Sequence, residues 1–252
     1  MSFPGKIEKL LVEKIRQEHT IHLALIDPEE VTKEEAATIA NELDKIGSAG
    51  VMVGGSTLAS TSQLDEVLTS LKGKTNLPVI LFPNSVTSIS RQADAMFFMS
   101  LLNSNNPMFI TGFQAMGAPI VRRYNLEAIP LGYIIVGEGS TAAYVGQAHA
   151  IPLKKPEVAA LYALAAQYIG MRFVYLEAGS GAEQPVPPEM IRLVVSSVDI
   201  PVIVGGGIKT PEQAATAAKA GASIIVTGTI VEEDRSGKSV RDIIESIRAS
   251  KA

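Results

Sequence analysis

Three groups of residues in this chain have the types and spacing to do chemistry. The first is Tyr175, Leu176, Glu177, Ala178, Gly179, Ser180 and Gly181, where an apolar run starting at Met171 delivers a tyrosine and a carboxylate and then breaks into small residues. A glutamate in that place is a poor core residue and a useful acid–base group. The second is Gly205-Gly206-Gly207, followed by a helix start at Thr210-Pro211, with Gly228-Thr229 further on. Glycine lets backbone N–H groups approach an anion closely, and a helix N-terminus adds a favourable dipole. These two segments read as the walls of a phosphate monoester site, with plain tight turns as the alternative. The third group is Asp27 and Ser56, each closing an apolar run. An aspartate and a hydroxyl at neighbouring strand ends can hold Mg²⁺, which keeps several waters and shares substrate phosphates. Asp27 precedes Pro28-Glu29, so it could equally open a turn or cap a helix, and Ser56 could do likewise.

The elements that must position these groups are short apolar runs bounded by Gly, Pro, Asp or Ser. They read IHLALID, GVMVGGS, PVILFPN, ADAMFFMS, AIPLGYIIVG, MRFVYLEAGSG, IPVIVGGG and ASIIVTGT. Most do not alternate with polar residues, which suits parallel strands buried on both faces. Segments of helical composition lie between them. Residues 32–46 carry a cap-like Thr32 with Glu35 three positions on and end at Gly47, Thr210-Pro211 opens another, and residues 239–249 form the last. Eight strand–helix alternations over residues 1–252 predict a single-domain α/β protein, a (β/α)₈ TIM barrel, with an open doubly wound sheet as the competitor. In such a barrel the C-terminal strand ends build the active site, and the loops after strands seven and eight frequently hold phosphate. Asp27, Ser56, Asn84, Glu177 and both glycine segments all fall at those ends. Residues 101–125 depart most from regular spacing, and 137–154 are also irregular.

Composition narrows the classes. A formal net charge of −4 leaves no basic footprint for a nucleic acid, and the absence of cysteine removes disulfide and thiolate chemistry. With His19, His22 and His149 as its three histidines, the chain is a poor candidate for a histidine-rich zinc site. His22 lies inside the first run and reads as a hydrogen-bonded barrel residue. The charged N-terminal pattern lacks a signal peptide's apolar core, and no run approaches the roughly 20 apolar residues that span a bilayer. A soluble, cytoplasmic protein without an integral membrane segment is expected. Gly137-Glu-Gly139-Ser-Thr-Ala142 matches a dinucleotide fingerprint, but the acid due about 20 residues later would be Glu157, beside a helix start rather than a strand end.

With these residues assembled, the chain resembles the geranylgeranylglyceryl phosphate synthases, archaeal prenyltransferases whose family includes the bacterial heptaprenylglyceryl phosphate synthases. LIDPE at 25–29, GGST at 54–57, FPN at 82–84, GSTAAYVGQA at 139–148, YLEAGSG at 175–181 and VGGGI at 204–208 carry the resemblance. It implies transfer of a geranylgeranyl group from its diphosphate to the 3-hydroxyl of sn-glycerol 1-phosphate, with release of pyrophosphate. It also implies Mg²⁺ at Asp27 and Ser56. Glycerol phosphate would bind at Tyr175 to Gly181, Gly205 to Gly207, and Gly228-Thr229. Glu177 would take the proton of the attacking hydroxyl, with Tyr175 steadying the phosphate or the hydroxyl. Many family members have Gly-Asn where this chain has Gly228-Thr229, a change that a backbone donor survives. The prenyl tail needs an apolar trench, expected between strands two and four and including Met99 and the irregular stretch after Leu101. Leu161, Tyr162 and Tyr168 could form an oligomer contact, as family members assemble as dimers or hexamers. The alternatives are another prenyl chain length, a different phosphate-binding barrel such as a sugar-phosphate isomerase or an indole-type synthase, and a non-catalytic phosphate-binding barrel.

Overall fold

The computed structural model describes residues 4–57, 60–234 and 236–250. Eight parallel strands close into one barrel in sequence order: β1 (Ile21–Ile26), β2 (Gly50–Val53), β3 (Val79–Leu81), β4 (Ala95–Leu101), β5 (Glu127–Ile135), β6 (Phe173–Glu177), β7 (Val202–Gly205) and β8 (Ile224–Thr227). Each predicted run overlaps one of them, with β4 and β5 each reaching one residue beyond its run, and β8 pairs back onto β1 through Leu23 and Val226. Leu23, Met52, Ile80, Phe97, Leu131, Phe173, Ile203 and Ile224 fill the barrel interior. The alternate residues, such as Ala24, Val51, Val79, Val174 and Val204, face the outer helices. Both faces of the strands are thus apolar, which is why the runs do not alternate with polar residues.

Helix α1 (Lys6–Glu18) precedes the barrel and contributes Ile7 and Leu11 to its interior cluster. The backbone N–H groups of Ile7 and Glu8 donate to the Glu127 carboxylate at 2.9 and 2.8 Å, so an anion at the start of β5 holds the helix N-terminus over the barrel floor. Helix α2 (Lys33–Ile46) has the predicted capping box between Thr32 and Glu35 and stops at Gly47, whose φ of +82° is left-handed. Helix α3 (Thr61–Lys72) follows β2.

The regular alternation then fails once. Between β3 and β4 there is a single 3₁₀ turn, Val86–Ser88, where a helix was expected. Beyond β4 the chain makes a π-turn over Met108–Gly112 and continues as α4 (Phe113–Tyr124). The rest is regular: α5 (Thr141–Val145) and α6 (Pro156–Tyr168) after β5, α7 (Pro188–Ser197) after β6, α8 (Pro211–Lys219) after β7, and α9 (Thr229–Glu233) with α10 (Lys238–Ala249) after β8. Among the described residues no helix is long and apolar enough to cross a membrane.

Candidate active site

Strand β6 alternates, and that decides which of its residues reach the mouth. Phe173 and Tyr175 point into the barrel with Glu177 above them, while Leu176 and Ala178 bury their side chains in the outer layer beside Ile134 and Ala163. The Leu176 side chain therefore faces away from the mouth, and Leu176 and Ala178 could meet a ligand there only through their backbone. The Ala178 N–H is already given to the Gly205 carbonyl at 3.0 Å.

Glu177 is 6% exposed, and its Oε1 accepts the Gly179 N–H at 2.6 Å. Burial pushes its carboxyl above the usual glutamate range, and Tyr175, the Gly179 amide and Tyr133 pull it back only in part. Both phenols are held well above their ordinary value, first by burial and then by the Glu177 charge. The Tyr175 hydroxyl is close enough to Glu177 to stabilise its charge, yet it is buried and meets no partner at hydrogen-bonding geometry. Beneath the carboxylate, the rings of Phe82, Tyr133 and Tyr175 meet in a triangle with centroids 5.3–5.6 Å apart. This aromatic floor separates the mouth from the core. The sequence reading missed Tyr133; following the inward positions Ile129, Leu131, Tyr133 and Ile135 along β5 would have found it opposite Tyr175.

The glycine turn after β7 stands against Glu177. Gly206 and Gly207 have φ of +81° and +70°. A Cβ on Gly206 would strike the Glu177 carboxylate and the Gly179 backbone, and one on Gly207 would lie 2.9 Å from the backbone of Gln184 and Pro185. Glycine is thus needed here for conformation and for packing the loops after β6 and β7 together. The amides of Gly206, Gly207, Gly228 and Thr229 donate to nothing among the described residues. Gly181, with φ +70° and open space around it, and the exposed Ser180 complete this side. The expected contribution of the α8 N-terminus is not what the structure provides. Its capping box closes it, with Gln213 Oε1 taking the amides of Lys209 and Thr210 at 2.7 and 3.1 Å. Free donors come from the glycine turn and from the start of α9 instead.

Asp27 realises the turn that was its alternative reading, since its Oδ1 accepts the Glu29 N–H at 2.9 Å. Its carboxylate lies directly against Gly55, where any Cβ would collide with it. Its backbone N–H donates to Glu232 of α9 at 2.9 Å. Burial raises both carboxyls above their ordinary values; the Glu29 and Glu30 charges add to it at Asp27, and those of Asp27, Glu30 and Glu233 at Glu232. No lysine or arginine pairs with either among the described residues. Ser56 sits one strand over, its carbonyl accepting Asn84 Nδ2 at 3.2 Å. No group of three acidic or histidine ligands forms among the described residues. His22 is a neutral structural residue, bonded to Ser48 at 3.0 Å and Thr227 at 2.9 Å and lowered to about 3 by burial.

From Ser56, Glu177 and Ser180 an apolar trench runs over β3 and β4, enclosing about 1060 Å³ with its open mouth included. Met99, Leu101 and Phe109 line it as the sequence suggested, and so do Met96 and Phe98. Both lie on the outward face of β4, next to the place left open by the missing helix. The fingerprint-like Gly139-Ser-Thr-Ala142 serves this architecture: Ser140 caps the five-residue α5 and packs under Gly179.

A family model described as the PcrB family matches residues 13–247. The chain belongs to the PcrB family. That match takes in all eight strands and every candidate site residue. Relatives include the geranylgeranylglyceryl phosphate synthase of Thermococcus gammatolerans, 55% identical over 97% of each chain. That of Thermofilum pendens is 54% identical over 96% of this chain and 94% of its own. Among solved structures, (S)-3-O-geranylgeranylglyceryl phosphate synthase from Thermoplasma acidophilum, in complex with sn-glycerol-1-phosphate, is 43% identical with TM-score 0.92 over 99% of both chains. A thiamine phosphate pyrophosphorylase from Pyrococcus furiosus, 15% identical with TM-score 0.62, shares the barrel fold alone with this PcrB-family chain.

Proposed function

We infer that this chain is a geranylgeranylglyceryl phosphate synthase, transferring the geranylgeranyl group of geranylgeranyl diphosphate to the 3-hydroxyl of sn-glycerol 1-phosphate. The observation that carries the reading is the placement of one buried carboxylate, Glu177, between a cradle of free amides and an apolar trench. Relatives more than half identical bear this name, and a structural neighbour holds the acceptor named here.

The amides of Gly206, Gly207, Gly228 and Thr229 bind the acceptor's phosphate, which aims its free hydroxyl at Glu177. The Tyr175 hydroxyl, buried without a partner, supplies a donor to the phosphate or the hydroxyl. Glu177 takes the hydroxyl proton as the oxygen attacks the allylic carbon. The new ether bond forms while the carbon–oxygen bond to the diphosphate breaks, and pyrophosphate carries away the electron pair. A raised carboxyl makes Glu177 a better proton acceptor than an exposed glutamate once ionised. The trench orients the tail and keeps water from the allylic centre.

Mg²⁺ is the proposed cofactor. The residues fit it: neither Asp27 nor Glu232 has a lysine or arginine partner among the described residues, and among them Asp27 Oδ2 and the Ser56 hydroxyl make no hydrogen bond. When bound, the ion offsets the charge growing on the departing diphosphate. Two protein ligands suffice for an ion that keeps waters and takes phosphate oxygens. We also propose that the enzyme acts in the cytosol as a homo-oligomer. Leu161 and Tyr168, 68% and 77% exposed on α6, offer the apolar surface, and sedimentation at micromolar concentration tests it.

The deciding experiment incubates the protein with geranylgeranyl diphosphate and either sn-glycerol 1-phosphate or sn-glycerol 3-phosphate, with and without a chelator, and weighs the products by mass spectrometry. Prenylglyceryl phosphate formed chiefly from the 1-phosphate and abolished by chelation is expected. No product with any prenyl diphosphate would return the chain to a bare phosphate-binding barrel.

A further inference from the structure

One wall of the trench is built from an unusual piece of backbone. In the π-turn Met108–Gly112 the Phe113 N–H reaches back five residues to the Met108 carbonyl. Such turns are rare and cluster at functional sites. Phe109 and Phe113 on this turn meet edge to face, with ring centroids 5.2 Å apart, and both line the trench.

Two side chains fasten the turn to β4. Gln114 Nε2 donates to the Met99 carbonyl at 2.6 Å and to the Phe109 carbonyl at 3.1 Å, so one amide bridges strand and turn. Ser100 Oγ donates to the Ile110 carbonyl at 2.7 Å. Gln114 does this at a cost, because its own Oε1 is buried at the trench with no donor among the described residues. A leucine or methionine would fill the same space without stranding a polar atom, so packing alone does not account for the glutamine.

We propose that Gln114 and Ser100 are positioning residues that fix the bore of the trench and thereby set which donor length is used best. This rests on the prenyltransferase reading above. Neither residue reaches the reacting atoms. With the clamp in place, Phe109 and Phe113 stand at a set distance from Met99; without it, the turn relaxes and the tail is measured less sharply.

The test uses Gln114→Met, which keeps length and loses both donated bonds, and Ser100→Ala, which removes one hydroxyl and keeps the fold. Farnesyl, geranylgeranyl and geranylfarnesyl diphosphates compete as donors, and amide exchange over residues 108–113 is followed by mass spectrometry. Ser100→Ala is expected to lower the geranylgeranyl preference about fivefold, the size of one ordinary hydrogen bond, and Gln114→Met, which loses two, by more. Exchange over the turn accelerates, and the KM for sn-glycerol 1-phosphate stays unchanged. Equal proportional losses with all three donors would make the clamp merely structural and overturn the proposal, as would unchanged exchange. The two failures are distinguishable. An inert wild type sinks the prenyltransferase reading and the proposal with it, whereas an active wild type with unaltered donor ratios in both variants sinks the proposal alone.

Discussion

The two halves of the barrel mouth recognise by opposite means. Over β6 to β8 the surface is backbone: left-handed glycines, free amides and one buried carboxylate, with the loops packed so closely that a single Cβ collides. Over β2 to β4 it is side chain: Phe82, Met96, Phe98 and Met99 around a space where the fold omits a helix. A phosphate needs donors held in fixed directions, which rigid backbone supplies. A prenyl tail needs length and dryness, which an omission and some greasy residues supply. The comparison teaches that one barrel can read both ends of a reaction by tightening one side and leaving the other incomplete.

The largest expected effect separates chemistry from both halves. Glu177→Gln should lower kcat by about 10²–10⁴-fold while leaving the KM for glycerol phosphate within a few fold; steady-state kinetics checks it, and retained turnover would remove the base role. Next, Gly206→Ala forces a side chain into a left-handed position against Glu177 and Gly179. Strain of this kind costs roughly 1–3 kcal/mol, so the Kd for sn-glycerol 1-phosphate should rise by about 10-fold or more, read by calorimetry. Third, Asp27→Asn should raise the Mg²⁺ concentration giving half-maximal rate by about 10-fold, with glycerol phosphate binding intact.

The smallest effect is on stability. Because burial raises the folded-state carboxyl of Glu177 above its unfolded value, its ionisation is harder in the fold. Its contribution is therefore fully present below the ordinary value of 4.5 and is lost as pH rises through the folded-state pKa. Glu177→Gln should unfold at a higher temperature than wild type at neutral pH, and the two should converge in acid. His22, lowered to about 3, costs both proteins the same stability as pH falls below its ordinary 6.5, so the difference between them isolates Glu177.

How far the sequence disclosed each half follows from these physical styles. Glycines that must be left-handed cluster as visible motifs, and strands buried on both faces appear as unbroken apolar runs, so the barrel and its polar rim could be read directly. Leu176 belongs to the same motif as Glu177, but only the alternation of β6 shows that its side chain turns outward. The α8 dipole reads as available from the motif, but its own Gln213 competes for the end. The trench was hidden for a different reason. Met96 and Phe98 have core composition, and only the absence of a helix over β3 leaves them beside a cavity; nothing in 82–94 announces an absence. Glu232 escaped notice because it reaches Asp27 across 205 residues of sequence.

The division of labour is tested most directly by crossed binding. Wild type, Gly206→Ala and Gly117→Met are each titrated with sn-glycerol 1-phosphate and, separately, with a non-reactive geranylgeranyl thiolodiphosphate in Mg²⁺. Gly117 lines the trench on α4, where an added Cβ would sit 3.0 Å from Ile89, so methionine there shortens the space for the tail. A clean cross is expected: Gly206→Ala weakens the acceptor and spares the donor, and Gly117→Met weakens the donor and spares the acceptor. If each variant weakened both ligands alike, the two halves would be one site, contrary to the division of labour.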